Sequence, residues 1–505
     1  MKRFLPTIIL AVMTLCTSGC NKPVPDGPED PQGNKLDEEE FQSRKYVNTF
    51  AYNMMRTYYL WCDEISAALE GWKTNEDPVQ KVKDIRYKDS TGKDIDRWTQ
   101  MLEDYDSYVN IVNGVSTTYG MDYILYYYDS TKSTVCAVVT YVYNDSPAAK
   151  AGLKRGDCIT AINGKAMTAS NYSDLLQKEY NGSASVELTF HGGAKVKMDS
   201  VTMYEDPVLM YKIFNCPDKK VGYLAYTSFT RDSYLRLIEA CKYFKQEGVT
   251  ELVLDLRYNG GGQVTVENAL ASMLAPAEAV ADKRVYETEV YNTKLAEVMG
   301  NSNTVFTTDF SFQADGKVIA YSTADANIGL GKIYALVGTG TASASESLIT
   351  GLLKYTDIEI IGSQTHGKYC SGILYSAKDW YNDYKDQLDA ETYTNGIKNC
   401  GKWGIYVMIS RYADKDGVTP CMPDGFTPGY KVTDTPEDGI QLGDPQEALL
   451  KTALSHAGYS SARTASTDAP KTTVMESLPD DVQPRRPEFG VRIIPVTTRM
   501  PLPED

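Results

Sequence analysis

The chain has 505 residues, 42% of them hydrophobic, which is enough apolar material for roughly two to four domains with cores of their own. Its formal net charge of -16 argues against a nucleic-acid-binding protein, because contact with phosphates requires a basic surface. Beyond the N-terminus no apolar run reaches the roughly 18 residues that a membrane-spanning helix requires.

Residues 1–20 resemble a targeting segment. Lys2 and Arg3 form its positive end, an apolar stretch follows over residues 7–15, and Cys20 ends it. This ending is typical of bacterial lipoprotein signals, in which the cysteine becomes the lipidated first residue. The alternative is a plain secretory peptide that is cut elsewhere. Both predict export, and a lipid on Cys20 would anchor the protein to a membrane of the cell envelope, on its periplasmic or outer-membrane face.

Residues 21–36 are rich in proline and lack apolar periodicity, so they predict a tether. From residue 37 the pattern becomes helical, with Tyr46, Phe50 and Met54 on one face. An aromatic stripe at this spacing is more typical of a helix core than of a ligand-stacking surface. We therefore expect a small N-terminal helical domain over residues 37–112.

Residues 113–205 alternate candidate strands with turns and predict a β-rich domain. Between the strands lies the stretch SPAAKAGLKRGDCITAING, in which Pro147 can open a helix, Gly152 can end it and Asn163-Gly164 can form a tight hairpin turn. This long combination resembles the PDZ domain of bacterial proteases. The resemblance implies a groove that accepts an extended peptide as an added strand and holds its terminal carboxylate on backbone N–H groups.

The loop expected to hold that carboxylate contains Tyr119, Gly120 and Met121. The glycine would let the backbone approach a ligand closely. Asp122, the next residue, is an unexpected neighbour for a carboxylate. The loop is therefore a hypothesis that depends on the PDZ resemblance.

From residue 221 the pattern alternates strands and helices, which predicts an α/β domain within residues 206–455. TELVLDLRY is a buried strand that runs into a glycine-rich turn, KIYALVG leads into GTGTASASE, and DIEIIGSQTHGK gives a further strand and loop. Loops at the ends of such strands are where sites usually lie. Residues 456–505 are rich in Ser, Thr and Pro, so we expect a largely disordered tail, in which VRIIPV is the candidate strand.

Ser343, within TASASE, lies where a buried strand turns into a helix. Ser343 and Glu346 fit a capping box, so a structural role alone would explain this serine. The same position also suits a nucleophile, because a helix N-terminus favours developing negative charge and the N–H of Ala344 could face an oxyanion. Ser345 is the rival nucleophile. No G-x-S-x-G elbow is present, which disfavours an α/β-hydrolase.

Three residues are candidates for the base that would activate this serine. Lys354 lies on the same helix, roughly 16 Å away at about 1.5 Å per residue, and is excluded. His366 and Lys368 both lie on the loop after the next strand, which can bring either beside Ser343. A lysine acts as a base only if desolvation lowers its pKa towards neutrality, whereas a histidine needs no such shift. The residues themselves leave both open.

The motifs DLRYNGGG, TASASE and HGK, followed by WGIYVMISRYADKDGVTPCMPDGF, are similar in order and spacing to those of the C-terminal processing (tail-specific) serine peptidases. The resemblance implies an α/β (α+β) multi-domain protein with a PDZ domain before a crotonase-like α/β peptidase core. It implies that Ser343 is the nucleophile and Lys368 the general base. The backbone N–H groups of Gly261 and Ala344 would form the oxyanion hole.

Two residues depart from the family pattern. Several members have a glutamine four residues after the lysine, where it orients the amine, and this chain has Gly372 there. Cys370, two residues after Lys368, is also unexpected. Asp255, Arg257 and Asn259 are expected to brace the glycine-rich loop rather than to react, with a plain structural pair of Asp255 and Arg257 as the favoured interpretation.

The cysteines after Cys20 are scattered and contain no C-x-x-C pair, which argues against a zinc site. In an oxidising compartment some of them can form disulfides, but a sequence does not give the connectivity. With only three histidines, a histidine-rich metal centre is excluded as well. We expect neither a metal nor another cofactor.

The predicted function is that of an exported serine endopeptidase that cuts proteins near flexible C-termini, with the PDZ domain recognising the substrate's C-terminus. The expected partners are such proteins or peptides and, through the lipid anchor, a membrane. The alternative is a catalytically weak or inactive lipoprotein that binds C-termini through the same domain. A crotonase-like acyl-CoA enzyme would share the core architecture, but export disfavours it.

Overall fold

The computed structural model describes residues 28–300, 302–314, 317–460, 476–484, 486–487, 489–495 and 499–502. The predicted signal segment, including Cys20, and the start of the predicted tether lie outside the described residues.

The N-terminal region is helical, as its periodicity predicts. Its elements are α1 (Glu38–Thr57), α2 (Ser66–Glu70), α3 (Pro78–Ile85), β1 (Gln100–Leu102) and α4 (Tyr105–Val112). Helix α1 begins after Asp37, whose side chain accepts a hydrogen bond from Glu40 N–H. Phe50 and Met54 are fully buried, and the Phe50 ring packs edge-on against Trp380 at 5.9 Å between ring centroids. This region therefore shares one core with the α/β region (residues 206–455) rather than enclosing its own.

The PDZ region forms an antiparallel sheet. Its elements are β2 (Val115–Thr118), β3 (Met121–Tyr127), β4 (Val135–Val142), α5 (Pro147–Lys150), β5 (Cys158–Ile162), β6 (Lys165–Ala166), α6 (Tyr172–Asp174), a π-helical turn (Leu175–Tyr180), β7 (Ser185–Phe190), β8 (Lys195–Asp199) and β9 (Val201–Tyr204). The sheet order is β3-β4-β5-β7-β8, with β6 beside β5, and β2 pairs with β9. The predicted helix after Pro147 is present, and Asn163 and Gly164 both have the positive φ that a tight hairpin turn requires.

The α/β region begins with the first half of its fold. Its elements are β10 (Val208–Asn215), β11 (Lys220–Tyr226), α7 (Tyr234–Glu247), β12 (Val249–Asp255), β13 (Gly262–Gln263), α8 (Val264–Leu274), α9 (Ala277–Ala281), β14 (Val285–Tyr291), α10 (Thr293–Met299), β15 (Ser302–Val305), β16 (Asp309–Ala314) and β17 (Lys317–Ser322). The second half contains β18 (Lys332–Val337), α11 (Ala344–Leu352), β19 (Asp357–Gly362), β20 (Cys370–Ser376), α12 (Ala377–Asp383), α13 (Ala390–Asn399), β21 (Gly404–Asp414), β22 (Tyr430–Lys431) and α14 (Ala448–His456).

Two sheets organise the α/β region. One has the order β10-β11-β12-β18-β19-β22 and is parallel except for β10, as the alternating pattern of strands and helices predicts. In this sheet Leu252 of β12 lies opposite Ile333 of β18, and both are buried beneath α8 and α11. The other sheet contains β20, β21, β14 and β15, with β1 of the N-terminal region on β21. The carboxyl ends of β12 and β18 lie side by side and carry the two motif loops.

The tail beyond α14 differs from the expectation of disorder. Strand β23 (Glu476–Ser477) pairs with β3 of the PDZ region, and β24 (Arg492–Ile493) lies between β13 and β20. Leu478, Val491 and Met500 are buried. A Ser- and Pro-rich segment has no core of its own, but here its apolar side chains fill cores formed by the rest of the chain. The predicted tail residues 461–475 lie outside the described residues.

No helix in the described ranges is both long enough and apolar enough to cross a membrane. The cysteines in these ranges, from Cys62 to Cys421, are all free thiols.

Candidate active site

Ser343 lies fully buried in the turn between β18 and α11. Its φ of 63° and ψ of -115° are unusual for a residue other than glycine, so this turn holds backbone strain of the kind found at functional sites. The turn is tied to the glycine-rich loop after β12, because Ala342 N–H and the Ser345 hydroxyl both donate to the carbonyl of Asn259. Ser345, the rival nucleophile, is thereby engaged in holding the two loops together.

Lys368, rather than His366, makes the contact with Ser343. Its Nζ lies 3.3 Å from Ser343 Oγ, and the side chain is fully buried. Burial disfavours the charged ammonium and, with a smaller contribution from the nearby Arg492 guanidinium, lowers the pKa of Lys368 to about 7. The His366 ring packs edge-on against Trp98 and Phe489. A lysine with this pKa can take a proton from a serine near neutral pH.

Glu346 connects the loops that carry these two residues. Its carboxylate accepts hydrogen bonds from the backbone N–H groups of Ser343 at 2.9 Å, Gly367 at 2.7 Å and Lys368 at 2.9 Å, and from the Thr365 hydroxyl. Burial raises the pKa of Glu346 to about 7, although these hydrogen bonds favour the carboxylate. The Glu346 half of the predicted capping box is thus present, and it also fixes the distance between Ser343 and Lys368.

Tyr406, on β21, is the residue that the motif analysis missed. Lys368 Nζ donates to its hydroxyl at 2.9 Å. A Cβ at Gly372 would lie 2.6 Å from the Tyr406 ring and 2.6 Å from Met408 Cε, so the tyrosine fills the space that a side chain at residue 372 would need. Gly372, which stands where several members of the resembled family have a glutamine, is the feature of the sequence that indicates a different partner for Lys368. Cys370, the other departure, is a buried thiol whose pKa burial raises.

The two predicted oxyanion donors, the N–H groups of Ala344 and Gly261, differ in what they face. Ala344 is the first residue of α11, so its N–H stands at the helix N-terminus directly after Ser343. The N–H of Gly261, in contrast with the prediction, donates to Asn259 Oδ1 at 3.0 Å. The N–H of Gly262 is the one directed into the cleft, where it donates to the carbonyl of Val491 at 2.6 Å.

The loop with Gly262 is braced as the sequence predicts. Arg257 is buried and pairs with Asp255 and Glu447 at 2.9 and 2.7 Å. These carboxylates raise the pKa of Arg257 far above its ordinary value against the opposing effect of burial. Neither Asp255 nor Arg257 has a hydrogen bond to Ser343 or Lys368 among the described residues.

The tail crosses the cleft between these loops. Gly490 N–H donates to the carbonyl of Gly260 at 2.9 Å, and β24 continues alongside β13 on one side and β20 on the other. Ile494 N–H donates to the carbonyl of Gly372 at 3.0 Å. The candidate strand VRIIPV therefore contains a real strand, and its partner is the candidate active site.

The PDZ loop is engaged within the chain. Gly120 N–H donates to Thr118 Oγ1 at 2.9 Å, and a Cβ at Gly120 would lie 2.2 Å from Ser146 Cβ, so only glycine fits there. The Tyr119 hydroxyl donates to the carbonyl of Ser183, and Met121 begins β3 opposite Val142. The close approach that this glycine permits is thus to the turn before α5.

The exposed edge of β3 carries the tail's other strand. Glu476 and Ser477 lie opposite Tyr127 and Tyr126, and Leu478 N–H donates to the carbonyl of Leu125 at 2.9 Å. The antiparallel tail runs towards the loop at residues 119–121, the direction that a peptide added to this edge with its C-terminus at the loop would take. Among the described residues we find no group of His, Cys, Asp and Glu side chains arranged to hold a metal ion.

Comparison with protein families gives two matches. The profile of Peptidase family S41 matches residues 220–432, and that of a PDZ domain matches residues 138–190. The resemblance to C-terminal processing serine peptidases with a PDZ domain is thereby confirmed. The rest of the described chain, including Trp98, β1 and the tail strands, lies outside both matches.

Curated relatives share about a quarter of the aligned residues. A CtpA-like serine protease from Staphylococcus aureus is 26% identical over 244 residues, 48% of this chain and 43% of that protein. The carboxy-terminal processing protease CtpA of Bacillus subtilis is 24% identical over 239 residues, 46% of this chain and 44% of that protein. The chain thus matches less than half the length of these relatives.

A crystal structure of an S41 protease from Bacteroides fragilis superposes with a TM-score of 0.62 at 23% identity. The superposition covers 81% of this chain and 96% of that one. The predicted α/β (α+β) architecture, with a PDZ domain and a peptidase core, is confirmed at the level of the fold.

Proposed function

We propose that this chain, with its Peptidase family S41 region, is a serine endopeptidase in which Ser343 is the nucleophile and Lys368 the general base. The observation that carries the proposal is the buried 3.3 Å contact between Lys368 Nζ and Ser343 Oγ. Burial favours the neutral amine, and only the neutral amine can accept the serine proton.

The reaction would proceed in two steps, acylation and deacylation of Ser343, and Lys368 would act as the base in each. Neutral Lys368 takes the proton as Ser343 Oγ attacks the substrate's carbonyl carbon, and the resulting ammonium donates it to the departing amine. The oxyanion would face the N-terminus of α11, with the N–H groups of Ala344 and Gly262 as the closest suitable donors. A water molecule, activated by Lys368, then releases the acyl group and restores the serine.

Two further residues would position this pair. The Tyr406 hydroxyl accepts a hydrogen bond from Lys368 Nζ and so orients the amine, in the place of the glutamine of other family members. Glu346 holds the backbone of both Ser343 and Lys368. Neither residue needs to exchange a proton with the substrate.

The substrates would be proteins with flexible C-termini, and the PDZ region would take such a segment along the edge of β3. Export and lipid attachment at Cys20 belong to the same proposal and rest on the pattern of residues 1–20. An inactive lipoprotein that only binds C-termini is the second candidate. It is favoured by one observation, that the β3 edge accepts the tail as a strand.

A digest separates the two candidates. The chain without residues 1–20 is incubated with unstructured proteins, and the new termini are read by mass spectrometry, with Ser343→Ala, Lys368→Ala and His366→Ala run in parallel. We expect cleavage by the wild type and by His366→Ala, and none by the other two. Loss in His366→Ala but not in Lys368→Ala would assign the base to histidine. Binding without cleavage by the wild type would leave a binding lipoprotein.

A further inference from the structure

Arg492, in tail strand β24, is fully buried against three glutamates. Its Nε donates to Glu267 on α8 at 3.0 Å, and its two terminal nitrogens pair with Glu287 and Glu289 on β14. Its guanidinium also lies over the Tyr412 ring, 4.8 Å from the centroid. We call Glu267, Glu287 and Glu289 the guanidinium pocket.

The pocket adjoins the peptide group that faces the catalytic pair. The carbonyl of Val491 accepts from Gly262 N–H, and the N–H of Arg492 donates to the Tyr406 hydroxyl at 2.9 Å, the same hydroxyl that accepts from Lys368. A Cβ at Gly261 would lie 2.4 Å from Val491 O and 2.8 Å from Ser343 Cβ, so the carbonyl and the Ser343 side chain both lie against Gly261. The bond presented to Ser343 is thus the peptide bond between Val491 and Arg492, and Arg492 supplies its nitrogen.

The chemistry of the pocket requires a cation. The hydroxyls of Ser347, Ser371 and Ser410 donate to Glu287 and Glu289, but they carry no charge. Removing buried carboxylates from water without a positive partner is costly, and a planar guanidinium can pair with several of them at once. Burial raises the pKa of Glu267 and of Glu287, and the Arg492 guanidinium opposes this by stabilising their ionised forms.

We propose that the guanidinium pocket is a subsite of the peptide cleft that binds an arginine side chain immediately after the bond facing Ser343, and that the chain's own residues 489–494 occupy the cleft as an internal ligand. This inference rests on the proposed function and specifies its substrates, namely segments with an arginine at that position. A fixed structural ion pair, made once during folding, would predict no such selectivity in peptides added from outside.

The binding test uses the full chain with Ser343→Ala and a recognition sequence for a specific protease placed within residues 461–475. A single cut there leaves the tail held without a covalent link. Fluorescent peptides PEFGVRIIPV, with either arginine or its uncharged isostere citrulline, are then titrated. We expect the arginine peptide to bind at least about tenfold more tightly. We expect Glu287→Gln to narrow this ratio, and the control Glu251→Gln, which alters the ion pair with Lys219 instead, to leave it unchanged.

Each outcome decides the matter. Equal affinity of the two peptides, or failure of both to displace the cut tail, would overturn the pocket as a subsite. The same cut chain with Ser343 restored is used to digest unstructured proteins. If the cut sites lack an arginine immediately after the cleaved bond, the inference about the pocket is overturned and the proposed peptidase activity is supported. Arginine-selective binding without any cleavage would overturn the peptidase and leave the pocket standing.

Discussion

Lys368 is the residue whose charge decides whether the proposed peptide cleavage can occur. Its ordinary pKa of 10.5 falls to about 7 because it is buried, so near neutral pH the amine is present in both forms. Below that value the site holds an ammonium that cannot accept a proton. Above it the neutral base predominates.

We therefore expect kcat/KM to rise about tenfold per pH unit below pH 7 and to level off above it. Peptide cleavage between pH 5 and 9 at constant ionic strength measures this. The free energy of unfolding should also rise with pH. Between pH 7 and 10.5 the unfolded chain binds a proton at Lys368 that the folded chain does not, so this residue makes the folded state more stable as the pH increases in that window. A rate that falls through pH 7 would contradict the assignment.

Tyr406→Phe removes the hydroxyl that orients Lys368 and leaves the ring in place. We expect kcat to fall about tenfold to hundredfold with little change in the melting temperature. Steady-state kinetics and thermal unfolding measure the two effects. Tyr381→Phe is the matched control, since that hydroxyl donates to the carbonyl of Tyr46 away from the site. Wild-type kcat in Tyr406→Phe would show that the amine needs no such partner.

At this scale the sequence predicts Ser343 and Lys368, because each lies in a short motif. It does not predict Tyr406. The contact of its hydroxyl with Lys368 depends on the register that places Gly372 opposite Met408, and no local pattern reports that register. Nor does it predict that Gly262, rather than Gly261, directs its N–H into the cleft, because this depends on the side chain of Asn259.

Strands β20 and β21 form the element beside Lys368, which precedes β20 by two residues, and β21 carries Tyr406, whose hydroxyl accepts from that lysine. A Cβ at Gly372 would lie 2.8 Å from the carbonyl of Val407 as well as against the Tyr406 ring. The space beside Gly372 is thus filled by the Tyr406 ring, Met408 and the Val407 carbonyl, and the side chain that contacts Lys368 comes from β21. Side chains at these two positions are alternatives to each other.

We expect Gly372→Gln, which introduces the family's usual residue, to abolish activity, because the glutamine and Tyr406 compete for the same space. The double variant Gly372→Gln with Tyr406→Ala should recover part of it. Peptide cleavage rates of the three variants, with Tyr406→Ala alone as control, test this. Full activity in the single variant would mean that the strands can separate without loss.

The tail is a feature of the whole molecule, since it joins the PDZ edge to the active-site cleft. Leu478 is buried in the PDZ core, and Gln483 bonds both the N–H and the carbonyl of Leu125. A segment held at two places is released more slowly than one held at either place alone. Substrate must compete with it in both.

Leu478→Asp should loosen the tail from the PDZ region and raise the rate at which the full chain cleaves an unstructured protein, by about tenfold. The matched control is Val482→Asp, because Val482 is 41% exposed and its substitution should change nothing. Cleavage rates, together with hydrogen exchange at β3, measure the effect. An unchanged rate with increased exchange at β3 would show that the cleft holds the tail by itself.

The parallel sheet could be predicted at this scale because β12, β18 and β19 each follow a local pattern of apolar residues, whereas β14 to β17 were not predicted. The second sheet could not, since β1, β20, β21 and β24 come from distant parts of the chain. Composition predicted a disordered tail from residue 456. Composition does not show that Leu478 packs in the PDZ core or that Arg492 pairs with glutamates of α8 and β14.

The shared core of the N-terminal region and the α/β region determines where the chain can be divided. The stretch that matches Peptidase family S41 begins at residue 220, yet β1, on the edge of β21, and Trp98, beside Lys368, both precede it. A fragment excised at the limits of sequence similarity would uncover the apolar side of β21 and open Lys368 to water. Its amine would then regain an ordinary pKa and be protonated at neutral pH, so the isolated piece would keep both reactive side chains and lose the base.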